Sequence, residues 1–224
     1  MDKTIRSEYQ KWSHMNGRQR WQYFLDYYLL YTIIAAGIAA VFIFGVWHFM
    51  KPESKNLLYV AVVDESLDQT ELAKFKGRLE EKLGADGKGK KVLIDDSFYS
   101  REDGIHKLEV YVRNSQVDIV IAPSGIFDIL AGFGFMQDAK EVLGETAAQY
   151  EQRFYRAAGY RDTEEISFDD HETGQGGRKN YGIDISDSSV YERLQPLTEE
   201  PVMGFIVDMP NQANAVSFLE MLEE

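Results

Sequence analysis

The chain contains no cysteine. That absence excludes disulfides, thiolate metal sites, cysteine nucleophiles and a lipid-modified cysteine as anchor. Histidine is scarce: His14, His48, His106 and His171 are the full set, and none pairs in sequence with a nucleophile. No G-x-S-x-G and no H-E-x-x-H occurs, so two hydrolase signatures are missing. Paired carboxylates such as Asp95 and Asp96 point to opposite faces if both lie in a strand. The chain is therefore not read as an enzyme, and no cofactor is expected. Internal repeats and low-complexity segments are also lacking.

Charge is missing from one long stretch. Tyr27 to Met50 holds no Asp, Glu, Lys or Arg. As a helix this run reaches roughly 36 Å, against a hydrocarbon core of about 30 Å. A secretory signal would be shorter and would end in a small-residue cleavage site. A buried core helix of this length would show a polar face. The run predicts a single transmembrane helix over residues 27–50.

Trp21, Tyr23, Tyr27, Tyr28 and Tyr31 at one end, with Trp47 and Phe49 at the other, suit the two water–lipid boundaries. Lys3, Arg6, Lys11, Arg18 and Arg20 precede the run; Lys51 and Lys55 follow it. The positive-inside bias therefore predicts a cell-membrane protein with a cytoplasmic N-terminus and an extracytoplasmic C-terminal domain. In the arm 1–26, Tyr9, Trp12 and Met15 recur at helical spacing. Asn16-Gly17 interrupts, and Trp21, Phe24 and Leu25 resume. That pattern fits an amphipathic helix on the inner leaflet or a partly ordered juxtamembrane segment. Ala35/Ala39 and Ala36/Ala40 are spaced for close helix contact, though small residues are common in membrane helices.

Residues 1–50 carry five basic and three acidic side chains; residues 51–224 carry 19 and 34. Such an acidic domain disfavours nucleic acid and anionic lipid as partners. The tether 51–56 spans at most about 20 Å, and 57–224 suffices for one domain.

Within 57–224, strands and helices alternate. Leu57–Val63 (LLYVAVV) reads as a strand buried on both faces. Asp68-Gln-Thr-Glu71 opens a helix with Leu72, Phe75, Leu79 and Leu83 on one face, and Gly84 stops it. Val92–Asp95 reads as a second strand. Ser100 is expected to cap a helix with Glu102 and Asp103 in its first turn and Ile105, Leu108, Tyr111 and Val112 inward. Val117–Ala122 (VDIVIA) reads as a third strand, and Ser124 as the cap of Ile126–Phe133. Asp138–Phe154 reads as one helix, residues 155–180 as polar and Gly-rich, and Tyr181–Ile185 as a short strand. Val202–Val207 (VMGFIV) is a strand. Pro210-Asn211 starts a last helix with Ala215, Phe218, Leu219 and Leu222 inward. The fold class is α/β: a three-layer αβα Rossmann-like lobe with a mainly parallel sheet and an antiparallel return strand.

VDIVIAPSGIFDILAGFGFMQDAKEVL (117–143) and PVMGFIVDMPNQANAVSFLEMLEE (201–224) resemble one lobe of the extracellular solute-binding proteins of the type 2 periplasmic-binding fold. The first resembles that family's exit from its first lobe, the second its return strand and closing helix. The family runs to two lobes. Here about forty-five residues separate the exit helix, read to Phe154, from the return strand, which implies a truncated, membrane-anchored relative.

Gly84–Lys91 nearly spells a phosphate loop, but it runs from helix to strand and Lys91 stands where a hydroxyl is needed. Asp169, Asp170, His171 and Glu172 are rich in oxygen ligands but lack EF-hand spacing, so no metal is expected. In open α/β sheets, ligands bind at the carboxyl ends of parallel strands. The residues there are Asp64, Glu65 and Ser66 after the first strand, Asp96, Ser97, Phe98 and Tyr99 after the second, and Pro123, Ser124 and Gly125 after the third; all but Glu65 and Pro123 are taken as ligand-binding candidates. Carboxylates and hydroxyls suit a polar small molecule, and Phe98 and Tyr99 could stack on it. Turns and helix caps account for the same residues. The function expected is a membrane-anchored binding module, an accessory subunit with a membrane-protein partner. The alternative is a small-ligand sensor at this edge.

Overall fold

A computed structural model describes residues 16–27, 29–49, 56–85, 90–101, 104–161, 173–198 and 200–224. Two compact units emerge, 1–53 and 54–224. In the first, helix α1 (Gly17–Tyr27) starts directly after Asn16, and helix α2 (Leu29–Phe49) follows. Tyr9, Trp12 and Met15, and the tether residues 51–55, lie outside the described residues. Helix α2 has 21 residues, none charged, and Ile34, Ile38 and Phe42 are exposed at 51%, 67% and 71%. Among the described residues no helix is long and apolar enough to cross a membrane; the α2 side chains described run from Leu29 to Phe44, and its backbone helix continues to Phe49.

The second unit is an α/β sheet domain. Its strands are β1 (Asn56–Val63), β2 (Lys91–Phe98), β3 (Ile119–Pro123), β4 (Phe154–Ala158), β5 (Arg178–Asp184) and β6 (Pro201–Phe205), in the order β2-β1-β3-β6-β5-β4. Pairs β1–β2 and β1–β3 are parallel; β3–β6, β6–β5 and β5–β4 are antiparallel. Four strands run one way, so the sheet is mostly parallel by direction. The return strand β6 is antiparallel as expected, but it begins an antiparallel half rather than closing a parallel sheet.

Alternation along β1 builds two cores. Leu58, Val60 and Val62 face helix α3 (Gln69–Lys82), helix α8 (Gln212–Leu222) and the short helices α6 (Ala139–Leu143) and α7 (Ser189–Glu192). Tyr59, Ala61 and Val63 face helices α4 (Gly104–Arg113) and α5 (Ser124–Gly132). Three layers result, with β1 buried on both sides. Asp68 caps α3 by accepting from the Thr70 and Glu71 N–H groups, each at 2.9 Å. Gly84 at φ +70° ends the following turn.

Several local expectations fail for identifiable reasons. The helix expected over 138–154 breaks at Gly144, whose φ of +55° is a left-handed value. A 3-10 segment, Gly144–Tyr150, follows, and Phe154 already starts β4. Helix α4 is described from Gly104, and the Ser100 N–H donates to Asp64. Glu102 and Asp103 lie outside the described residues. Helix α5 begins at Ser124 itself, after Pro123, with no side-chain cap. Strand β2 runs on to Phe98 because an extra residue is inserted opposite β1: Ala61 pairs with Asp95 but Val63 with Phe98.

Candidate functional site

The return strand decides what stands at the carboxyl edge. Because β6 runs antiparallel to β3, its first residue Pro201 pairs with Pro123 at the end of β3. The chain leading into β6 must therefore arrive at the carboxyl ends of the parallel strands. It does so hydrogen-bonded. The Asp68 N–H donates to the Leu194 carbonyl at 2.9 Å. The Leu197 and Thr198 N–H groups donate to the carboxylate of Glu65, which is 2% exposed. Ser124 donates its N–H to the Glu200 carbonyl and its hydroxyl to Oε2 of Glu200, at 3.1 and 2.9 Å. The edge between β1 and β3 is thus filled by the protein's own chain.

Five of the eight expected site residues are bonded by protein partners or buried in the core, and the other three are exposed. Asp64 sits at φ +56°, donates its N–H to the Phe98 carbonyl and accepts the Ser100 N–H at 2.8 Å. Asp96 accepts from the Leu67 N–H and the Gln69 side chain. Ser97 accepts from Lys107 Nζ at 3.2 Å. Phe98 is no stacking platform: the inserted residue in β2 turns it into the core, 1% exposed, with Lys107 Nζ 4.3 Å from its ring centroid and Tyr111 edge-on at 5.8 Å. Ser66, Tyr99 and Gly125 are exposed. Asp64, Asp96, Ser97 and Ser124 are all engaged by protein partners.

Burial is the largest influence on Glu65. It raises the carboxyl above its usual range, against two N–H donors that pull it down, while Asp64 adds to the rise. Beside it, the Tyr191 hydroxyl is buried and has no hydrogen-bond partner among the described residues. Burial, then the Glu65 charge, pushes that phenol up.

A second buried carboxylate holds the opposite end of the sheet. Asp118 is 0% exposed. It accepts from the Tyr59 N–H at 2.8 Å, the Asn211 N–H at 2.9 Å and the Asn211 side-chain amide at 3.1 and 3.2 Å. Its own N–H and carbonyl bond Tyr59 and Ile206. Burial raises its pKa despite these donors. Sequence reasoning passed over it; its signal is an Asp inside the apolar run VDIVIA, since a buried charge must be partnered.

Beside Asp118 a cleft of ≈ 770 Å³ opens at the amino ends of β1 and β2, on the α4 face. Tyr59 and Leu93, paired across the two strands, form its floor with Asp95. The Tyr59 hydroxyl donates to Asp95 Oδ2 at 3.0 Å, and the Ser97 N–H to Oδ1 at 3.0 Å. Burial alone would raise Asp95. The hydrogen bonds from Ser97 and Tyr59 and the Lys107 charge outweigh it and hold the carboxyl below its ordinary value. Burial, then the Asp95 charge, pushes the Tyr59 phenol up. Tyr111 from α4, Gln116 from the turn into β3 and Asn211 from the turn into α8 form the walls.

Among the described residues no group of three or more His, Asp or Glu is placed to hold a metal ion. Asp169–Glu172 and residues 86–89 of the phosphate-loop-like turn lie outside those residues. Comparison with family models, with curated proteins and with solved structures returned no match, so the likeness to a solute-binding lobe rests on the two quoted segments alone.

Proposed function

We propose that the protein is a membrane-anchored, extracytoplasmic interaction module, an accessory subunit that uses its α/β domain to engage a membrane-protein partner. One observation carries the anchor: α2 has 21 residues without a charge, and its described apolar side chains are exposed. Water disfavours an apolar surface of that extent, whereas a bilayer solvates it. The excess of Lys and Arg before the helix supports a cytoplasmic N-terminus. The filled strand edge supports a protein partner over a small ligand at that place, since Glu65 holds Leu197 and Thr198, and Ser124 holds Glu200, where a ligand would sit.

The test is topology plus capture. Protease added to intact cells should remove the C-terminal domain and spare an N-terminal tag. Crosslinking in intact membranes should then join the domain to an integral membrane protein. Release of the chain by alkaline carbonate, or a protected C-terminus, overturns the anchor and its orientation. Only self-adducts across several crosslinkers overturn the accessory role.

A further inference from the structure

We propose that the cleft between Tyr59, Asp95, Tyr111 and Asn211 binds an uncharged saccharide unit. This goes beyond the anchored-module reading and does not depend on it. Four observations carry it.

The first is size. A volume of ≈ 770 Å³ lies within the range of small-molecule sites, about 300–1,000 Å³. The second is charge. Among the described residues no Lys, Arg or His lines the cleft, and the one carboxylate there is Asp95. An anionic ligand would face Asp95 without compensation. An ammonium would meet a carboxylate already bonded by Tyr59 and Ser97 and neighboured by Lys107.

The third is the supply of idle hydrogen-bonding groups. The Asn56 and Gln116 side-chain amides and the Tyr111 hydroxyl line the cleft without a hydrogen bond to another described residue. Each amide offers both a donor and an acceptor. Asp95 keeps lone pairs beyond its two protein bonds, so it can accept from ligand hydroxyls. The fourth is the mixture of surfaces. Leu93 and the Tyr59 and Tyr111 rings sit among these polar groups. A sugar ring has that dual character, with C–H faces and O–H edges. The cleft lies at the opposite end of the parallel strands from the filled edge, so such a ligand need not displace residues 194–198 or Glu200.

The experiment uses the full chain in a detergent without a sugar headgroup. Glucose, galactose, mannose and N-acetylglucosamine are screened by saturation-transfer NMR and isothermal titration, with glucosamine and glucuronate as charged counterparts. At least one neutral sugar should bind with a Kd of about 1 mM or tighter. Asp95→Asn should weaken it about tenfold or more, through loss of charge-assisted hydrogen bonds. Gln116→Ala, at an exposed position, should weaken it several-fold without a change in melting temperature. Three results overturn the proposal: no neutral sugar binding up to about 50 mM, binding indifferent to both substitutions, or binding of glucosamine or glucuronate alone. None of these outcomes touches the topology assay, so the two readings fail separately.

Discussion

Asp118 is a side chain whose loss the domain should feel strongly. Its buried carboxylate holds the Tyr59 and Asn211 N–H groups at 2.8 and 2.9 Å, tying β1 and β3 to the start of α8. Asp118→Ala leaves two backbone donors without a partner, each costing about 1–3 kcal/mol if buried. Truncation also relieves the carboxylate's own desolvation, which is strong enough to raise its pKa against these donors. The middle of the donor range less that relief leaves a loss of about 3 kcal/mol. At about 2–4 °C per kcal/mol for a domain of this size, the midpoint should fall by about 6–12 °C. Asp118→Asn keeps one carbonyl acceptor but turns an NH₂ towards the second donor, so it should lose about half as much. Near-UV circular dichroism of the full chain in detergent measures the midpoints, and a urea titration checks that the denaturant slope is unchanged. A midpoint within about 2 °C of the parent for Asp118→Ala would refute the reasoning. So would equal losses in the two variants, since their hydrogen-bonding capacities differ.

Two further predictions concern Glu65 and Gly204. Burial lifts the folded-state pKa of Glu65 above its ordinary 4.5. The folded protein therefore binds that proton more tightly than the unfolded chain. Stability from this group is full below the unfolded value and is lost as pH rises through the folded value. Glu65→Gln should flatten the stability–pH curve just above pH 4.5, as read from urea midpoints across that interval; an unchanged slope counts against a shifted Glu65. Gly204 lies opposite Gly182 beneath the Phe127 ring, where a methyl would sit 2.6 Å from Phe127 and 2.9 Å from Met136 Sδ. Gly204→Ala should cost about 2 kcal/mol through overpacking, and Phe127→Leu in that background should restore part of the loss. Simple additivity in thermal unfolding would show that the ring is not what the glycine accommodates.

Much of the fold was legible where the signal is local. LLYVAVV is a strand because its length, branching and flanks agree, and both of its faces are buried. Asp68 caps because its side chain reaches N–H groups two and three residues on. The faces of α3 and α8 follow from period, with Leu72, Phe75, Leu79, Ala215, Phe218 and Leu222 all buried. What stayed hidden depends on distant partners. Strand β4 (FYRAA) is a short edge strand whose Arg156 is exposed and whose Ala157 is the buried position, so no alternation of large apolar residues marks it. Phe98 looked like a residue beyond a strand end because the extra residue in β2 shows only against β1. Glu65 and Asp118 find their donors 93 to 133 positions away, apart from Tyr59 at 59, and no window of sequence holds both partners. Glycine in a strand was the one long-range hint present locally: Gly182 and Gly204 mark where a ring closes on the backbone.

The two ends of the sheet differ for one topological reason. A sheet continued by a parallel strand would send the connecting chain into the amino end and leave the carboxyl crevice open for a ligand. Strand β6 reverses that traffic. Entering beside Pro123, it brings Leu197, Thr198 and Glu200 into the crevice, where Glu65 and Ser124 fasten them. Leaving beside Ile119, it carries Ile206 and Asn211 to the amino end, where Asp118 fastens them. The same reversal closes the customary ligand edge and builds a wall of the cleft beside Tyr59. Rules that place function at the carboxyl ends of parallel strands presume an open crevice there, and one antiparallel strand next to β3 removes that condition while shaping a concave surface at the other end.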